Sequence, residues 1–403
     1  AKNFALKFID LQRKDFKRLG VFADFDNPYL TMDPKYEHKV LELLEYLVEK
    51  GYVYRGLKPV NWCYNCETAL AEAEVEYEEK VSPSIYVKFK LKESPDTYFV
   101  IWTTTPWTLV SNVAIALNPN SLYCGLKNDK NEILIVASKL RDDFVKTTGL
   151  NELELIWERP ANVFENLIYK HPFLEREGKI ILADFVSIEE GTGCVHIAPG
   201  HGEEDFLVGK EYNLDIIMPV DQKGRFIDTV EKFKGLNVHD ADKKIVEELK
   251  EKGYLIYSSQ IQHSYPHCWR CKKPIIFRAT YQWFINVEHN NLRKLCLEET
   301  ENIIWLPSAG KDRMQAMLKE RPDWCISRQR LWGVPIPSVK CKNCGEVILD
   351  KEVLSKVKEF VLKDSSDAWF VYDLEKFLPD DFKCKKCNKK DFVKEFDILD
   401  VWF

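Results

Sequence analysis

Eight of the twelve cysteines fall into four Cys-x-x-Cys pairs: Cys63/Cys66, Cys268/Cys271, Cys341/Cys344 and Cys384/Cys387. Two thiolates separated by two residues can turn back onto one ion, and two such pairs complete a tetrahedral shell. A shell of four thiolates leaves no open position, so each such site would act as a structural Zn2+ staple. Disulfide or redox use is the competing reading. A 403-residue chain with 45% hydrophobic residues can build its cores without cross-links. The nearer set, Cys341/Cys344 with Cys384/Cys387, has the pattern of a zinc ribbon. The longer set joins segments about two hundred residues apart, so the chain between them must leave and return to one point. Cys124, Cys194, Cys296 and Cys325 have no such partners and read as ordinary thiols.

Two further segments carry side chains suited to chemistry. The first is Trp102-Thr103-Thr104-Thr105-Pro106-Trp107-Thr108. Successive threonines in a strand alternate faces, so at least one hydroxyl must face inward or into a cleft, and Pro106 would end the ladder. High β-propensity alone would also place threonines in a strand. The second runs over 191–206, where a strand carrying His196 enters a Pro199/Gly200 turn followed by His201, Glu203, Glu204 and Asp205 at a helix start. His196, His201 and a carboxylate could hold a metal, although a lone strand histidine more often lines a core or pocket. A pocket-facing carboxylate could instead bind an ammonium group. Neither segment contains a nucleophile–His–Asp set, so hydrolysis here would use a positioned water.

The elements that must position these groups follow from periodicity. The first eighty residues read as helices with short connections. Asp33 is a suitable N-cap with Pro34 at the first helical position, followed by Val40, Leu43, Leu44, Leu47 and Val48 and then Gly51 as a stop. From about residue 84 the period becomes two, with Ile85, Val87, Phe89 and Leu91 alternating with polar residues. Further strands are expected over 98–102, 132–137, 179–186 and 194–198. A compact, β-rich, barrel-like domain follows, closed by a helix over 241–252 that Gly253 stops. The β-rich stretch thus coincides with the excursion between the distant cysteine pairs.

The net charge of −6 and 30% charged residues describe a cytoplasmic protein of two or three domains. No apolar run approaches a membrane span. The acidic balance argues against indiscriminate polyanion binding, while basic stretches near 311–330 and 383–390 leave room for a local nucleic-acid face. The absence of an initiator Met and the ending at Asp400-Val401-Trp402-Phe403 suggest part of a longer protein.

At the threonine and histidine segments the chain resembles the class I aminoacyl-tRNA synthetases, and within them the isoleucyl branch. Residues 102–109 and 191–206 are similar to the two walls of that family's editing insertion. Leu19-Gly20-Val21, Asn27-Pro28-Tyr29-Leu30-Thr31-Met32 and the run Trp324 to Pro337, containing Ser327-Arg328-Gln329-Arg330 and Trp332-Gly333, resemble its flanking segments. Valyl and leucyl enzymes typically carry Thr-Thr-Arg-Pro where this chain has Thr103-Thr104-Thr105-Pro106. They also lack a histidine at the position of His196, and usually have Asp after the second histidine, where Gly202 stands here. The resemblance implies an α/β fold: a split Rossmann-type catalytic domain interrupted by the β-barrel-like editing domain, with zinc-ribbon elements. The implied divisions are 1–82, 83–262 and 263–403. Both ATP-binding signatures of the class are absent. One is expected before Ala1 and the other after Phe403, so ATP and Mg2+ belong to the full-length parent.

The resemblance also implies roles. A site that accepts isoleucine gains only about 1–3 kcal/mol against valine, this family being the standard illustration of that limit. A second site would therefore hydrolyse valyl-tRNA(Ile). Asp205 would bind the α-ammonium group, and Thr103, Thr104 and Thr105 would contact the ester and terminal adenosine and position water. His196 and Trp107 would bound the side-chain pocket. Trp402 would pack on isoleucine in the synthetic half, with Glu395 near the adenylate. The expected partners are the acceptor end of tRNA(Ile), isoleucine, valine and ATP, with a monomeric parent and RNA contacts through the unpaired end and 2′-hydroxyls. Alternatives are a valyl or leucyl relative, a free-standing deacylase, or a non-enzymatic zinc-knuckle RNA-binding module.

Overall fold

A computed structural model describes residues 1–94 and 96–403. The chain divides into two compact units, one formed by Ala1–Arg55 with Gln282–Phe403 and the other by Gly56–Tyr281.

The first unit is built on helix pairing. Asp33 caps helix Pro34–Glu49 by accepting from the Lys35 amide, and Gly51 beyond its end adopts φ +78°. The buried stripe is Glu37, Leu41 and Leu44, with Leu47 and Val48 partly buried. Leu43, expected on that stripe, is exposed, because its Cβ lies too far around the helix from the 37/41/44/48 line. The helix packs on Lys351–Asp364 through Val353, Leu354, Val357 and Val361, joined in the core by Trp369 and Phe377. Glu37, although buried, accepts from both the Ser366 amide and hydroxyl at 2.8 Å, which satisfies its carboxylate. A small antiparallel sheet places Val339–Cys341 between Val347–Ile348 and Phe392–Lys394.

The second unit contains a ten-stranded mixed sheet. Its path runs Cys194–Ile197, Ala114–Leu117, Glu177–Leu182, Ile168–Lys170, Val75–Leu91, Thr97–Thr103, Ile133–Ala137, Leu122–Lys127 and Glu154–Pro160. Leu255–Cys268 also pairs with Val75–Leu91. Two pairs are parallel: Glu177–Leu182 with Ala114–Leu117, and Thr97–Thr103 with Ile133–Ala137. Ile85, Val87 and Phe89 are fully buried, as the period-two pattern requires, while Lys88 and Lys90 are only partly so. Helix Val238–Glu251, capped by the Asn237 side chain on the His239 amide, buries Val238, Ala241, Ile245 and Leu249.

Two expectations need correction here. Helical structure does not extend through the first eighty residues, because Val53–Cys63, Thr68–Leu70 and the start of Val75–Leu91 are strands. The strand expected over 179–186 stops at Leu182. The unit Gly56–Tyr281 contains the 83–262 stretch together with the residues flanking it. Antiparallel pairing along Val75–Val87 and Leu255–Cys268 zips the two ends of the excursion together until Cys268 stands opposite Val75. That ribbon is the physical device that returns the chain to its starting point. No described helix is long and apolar enough to cross a membrane.

Candidate active site and cysteine centres

The threonine segment leaves its strand sooner than its β-propensity suggests. Strand Thr97–Thr103 ends at Thr103, and Pro106 opens a 3-10 turn over Pro106–Ser111. The three threonines therefore do not alternate along one ladder. Thr103 is buried and accepts from the Thr105 amide at 3.1 Å, with its hydroxyl 3.3 Å from that of Thr105. Thr105 Oγ1 lies 3.4 Å from Thr108 Oγ1. The Thr108 hydroxyl donates to the Thr105 carbonyl at 2.8 Å and lies 3.0 Å from His196 Nε2. A hydroxyl has one proton, so Nε2 must be the donor in that last contact, which leaves Nδ1 bare. His196 Nδ1 is buried with no hydrogen-bond partner among the described residues. Burial pushes the imidazole down to about 4, which keeps it neutral near pH 7.

The opposite wall begins with strand Cys194–Ile197, which pairs with Ala114–Leu117 and sets His196 across from Ile115. The turn that follows leads to helix Glu203–Glu211. His201 is oriented from both ring nitrogens. Nδ1 donates to the Phe277 carbonyl at 3.1 Å, so Nε2 accepts from the Ser111 hydroxyl at 2.9 Å. Asp205, in the first helical turn, accepts from the Ala198 amide at 2.7 Å through Oδ2 and so fixes the helix start to the strand end. Oδ1 has no hydrogen bond among the described residues. Burial pushes the Asp205 carboxyl up to about 6 against the lowering effect of that amide. Gly202 makes the position available, because a Cβ there would lie 3.1 Å from Asp205 Cγ.

These walls enclose a cavity of about 580 Å3 lined by Thr105, Trp107, Thr108, His201, Asp205 and Tyr265, among others. The indole of Trp107 meets His201 edge-on with ring centroids 4.7 Å apart, and its backbone amide is held by Asp242 at 2.9 Å. The Trp107 Nε1 is buried without a partner among the described residues. Of the sequence candidates, Thr105, Trp107 and Asp205 thus reach this cavity directly. His196 and Thr103 are absent from its lining and connect to it through Thr108 and Thr105. Thr104 lines a neighbouring hollow. Sequence reasoning named His201 only as a possible metal ligand, gave Thr108 no role of its own, and did not find Ser111, which supports His201. Thr108 lies at the end of the singled-out segment, and only the 3-10 turn brings it round to His196.

Glu395 and Trp402 lie in the other unit. Trp402 is 60% exposed, and Glu395 is fixed through its backbone, donating to the Ser338 carbonyl and accepting from Trp369 Nε1. Beside them stands a buried polar network that the sequence did not reveal. Arg328 pairs with Asp400 at 2.8 Å, and Trp324 Nε1 donates to the same carboxylate at 2.9 Å. Gln329 bridges Gln282 and Asp397 at 3.0 Å to each.

Two four-cysteine sets have ligand atoms within 4.8 Å of one another: Cys63, Cys66, Cys268 and Cys271, and Cys341, Cys344, Cys384 and Cys387. Closest Sγ pairs are 3.5 Å apart: Cys63–Cys271, Cys341–Cys387 and Cys344–Cys384. A tetrahedral ion with sulfur ligands near 2.3 Å would hold them at roughly 3.8 Å, so the donor sets fit a closed thiolate shell. His196, His201 and a carboxylate form no such group among the described residues.

The family model for class I tRNA synthetases (I, L, M and V) matches residues 1–403. Isoleucine–tRNA ligase of Thermotoga maritima is 53% identical over 403 residues, covering 100% of this chain and 44% of the relative. The corresponding ligase of Petrotoga mobilis is 52% identical over 401 residues, with the same coverage. A solved structure described as "The crystal structure of GlLeuRS-CP1" aligns with a TM-score of 0.35 and 15% identity, covering 46% of this chain and 99% of that one. That likeness is too distant to argue from. The chain spans less than half the length of the curated relatives it matches. A match along every residue, on the same segments that build the cavity wall, places this chain in the class I tRNA synthetase family of the I, L, M and V enzymes.

Proposed function

We propose that this chain is the editing-bearing part of an isoleucine–tRNA ligase and that its cavity hydrolyses valyl-tRNA(Ile). The observation that carries the reading is the convergence of Asp205, Thr105, Thr108 and His201 on one cavity of about 580 Å3. Asp205 Oδ1 takes the α-ammonium group of the misattached amino acid, a charge-assisted bond that needs the ionised carboxylate. The Thr105 and Thr108 hydroxyls, ordered by Thr103 and His196, bind the ester region and orient water. Water attacks the ester carbonyl carbon, the bond to the ribose oxygen breaks, and that oxygen takes up the proton, releasing valine and tRNA. Trp107 bounds the amino-acid end. His196, neutral and held through Thr108, stiffens that boundary against the larger isoleucyl group.

The parent charges tRNA(Ile) with isoleucine using ATP and Mg2+, acts as a monomer and works in the cytoplasm. In it Trp402 packs on isoleucine and Glu395 lies near the adenylate. The segments 1–82 and 263–403 belong to a split Rossmann-type catalytic domain, and 83–262 to a barrel-like editing domain. Each four-cysteine set holds one structural Zn2+, the second as a zinc ribbon. The four thiolates of each set would hold the ion, which would neutralise their charge and leave no coordination position for chemistry.

The test is deacylation of valyl-tRNA(Ile) by this chain and by its Asp205→Ala form, with zinc content and fold checked in both. Release that disappears in the variant supports the reading. Equal release by both forms contradicts it, and tRNA binding with no release by either form would favour an RNA-binding module.

A further inference from the structure

The six-residue 3-10 turn Pro106–Ser111 is longer than such turns usually run, and its geometry decides what it presents. Three residues per turn stack positions i and i+3 on one face, so Thr105, Thr108 and Ser111 form a single file of hydroxyls. Thr105 Oγ1 lies 3.4 Å from Thr108 Oγ1, Thr108 meets His196, and Ser111 meets His201. Relaxation to an α-helix would rotate successive members of that file apart by about 60°, because each residue would then turn about 100° rather than about 120°. His196 and His201 would lose their hydroxyl partners.

Three side chains from outside the turn hold it in that register. Asp242 accepts from the Trp107 amide at its start. At its end Arg176 Nη2 donates to the Val110 carbonyl at 2.6 Å, and His171 Nε2 lies 2.8 Å from the Leu109 carbonyl. The tautomer of His171 follows from its other nitrogen. Nδ1 faces the Phe173 amide at 3.3 Å and the Leu174 amide at 3.1 Å, so it must accept, and Nε2 must carry the proton offered to Leu109. The ring is buried against Phe89 and Phe173, with centroids 6.0 and 4.6 Å away. Burial pushes the imidazole down to about 3, in keeping with the neutral ring that both amides require. The Leu109 carbonyl also accepts from the Asn112 amide at 3.0 Å, so His171 acts on the group that closes the turn.

We propose that His171 is a positioning residue for hydrolysis in the neighbouring cavity: through the Leu109 carbonyl it keeps the Thr105, Thr108 and Ser111 hydroxyls in one file. The proposal rests on the editing reading of that cavity. His171 is absent from the cavity lining, so its influence passes through the backbone of the turn. Losing its bond frees the turn to relax, and the orientation of water by Thr105 and Thr108 suffers more than substrate binding does. The signature is a fall in kcat with KM nearly unchanged.

The experiment separates the two ring nitrogens. In His171→Asn the side-chain oxygen can replace Nδ1 and keep both amides, but no donor reaches Leu109. In His171→Gln the side-chain amide can replace Nε2 and donate to Leu109. Both variants lose the ring, so their packing losses are matched. The kcat for valyl-tRNA(Ile) deacylation should fall about tenfold or more in His171→Asn, and His171→Gln should recover most of that loss. Hydrogen exchange of the amides over 108–112 should quicken in His171→Asn and stay close to that of the unaltered chain in His171→Gln. Unchanged exchange or unchanged kcat in His171→Asn would overturn the proposal. Equal impairment of both variants would also overturn it, assigning His171 to packing on Phe89 and Phe173. An unaltered chain that releases no valine would break the editing reading, and the exchange contrast would still decide whether His171 holds the turn.

Discussion

The β-rich unit and the helical unit both contain buried polar clusters, and that of the β-rich unit opens onto a cavity. Thr105, Thr108, His201 and Asp205 converge on one space, and neither Asp205 Oδ1 nor the Trp107 indole N–H has a hydrogen-bond partner among the described residues. In the helical unit Arg328, Asp400 and Trp324 satisfy one another, as do Gln282, Gln329 and Asp397, while Trp402 stands largely exposed. Satisfied networks specify structure, whereas unsatisfied groups facing a space invite a ligand. The two units should therefore respond to mutation in opposite ways.

The largest effect should come from the satisfied network. Asp400→Ala removes the 2.8 Å ion pair with the buried Arg328 guanidinium and should cost about 3–5 kcal/mol of stability, seen as a lowered denaturant midpoint. Valyl-tRNA deacylation per folded molecule should hardly change. Asp205→Ala should do the reverse, cutting deacylation by about a hundredfold or more with a smaller stability loss of about 1–3 kcal/mol from the freed Ala198 amide. A large stability loss in Asp205→Ala would erase the contrast.

A smaller effect should follow from His196→Ala. The Thr108 hydroxyl loses the donor that orients it, and the pocket boundary loosens. Discrimination between valyl- and isoleucyl-tRNA should fall by about 1–3 kcal/mol, measured as the ratio of kcat/KM values. Acidification should act on the same site. Asp205 must be ionised to hold an ammonium group, and its carboxyl is pushed up to about 6. Below that pH kcat/KM should fall about tenfold per unit, while Asp205→Ala should lose this dependence. Zinc removal should act furthest from the chemistry. Chelation should release about two ions per chain and lower the melting temperature, and Cys268→Ser or Cys384→Ser should each retain one.

Much of this organisation was legible because its signals are local. Asp33 and Gly51 mark their helix through backbone chemistry, and Ile85, Val87 and Phe89 mark their strand through period two. The cysteine spacing carried long-range information because thiolates at those separations have few other uses, and both sets do come together. What escaped depended on the path of the chain. Val53–Cys63 lacks clean alternation, since Gly56 and Pro59 interrupt it, and so it did not read as a strand. Pro106 turns the threonine segment into a 3-10 turn, so Thr108 rather than Thr104 reaches His196. Ser111 and His201 meet only because that turn packs on the opposite wall. No spacing rule would have paired them.

The most direct test of the central claim is amino-acid release from valyl-tRNA(Ile) and isoleucyl-tRNA(Ile), measured side by side with this chain. The account predicts rapid release of valine and little release of isoleucine. Equal release of both, or preferential release of isoleucine, would contradict an editing site built by Asp205, Thr105, Thr108 and His196.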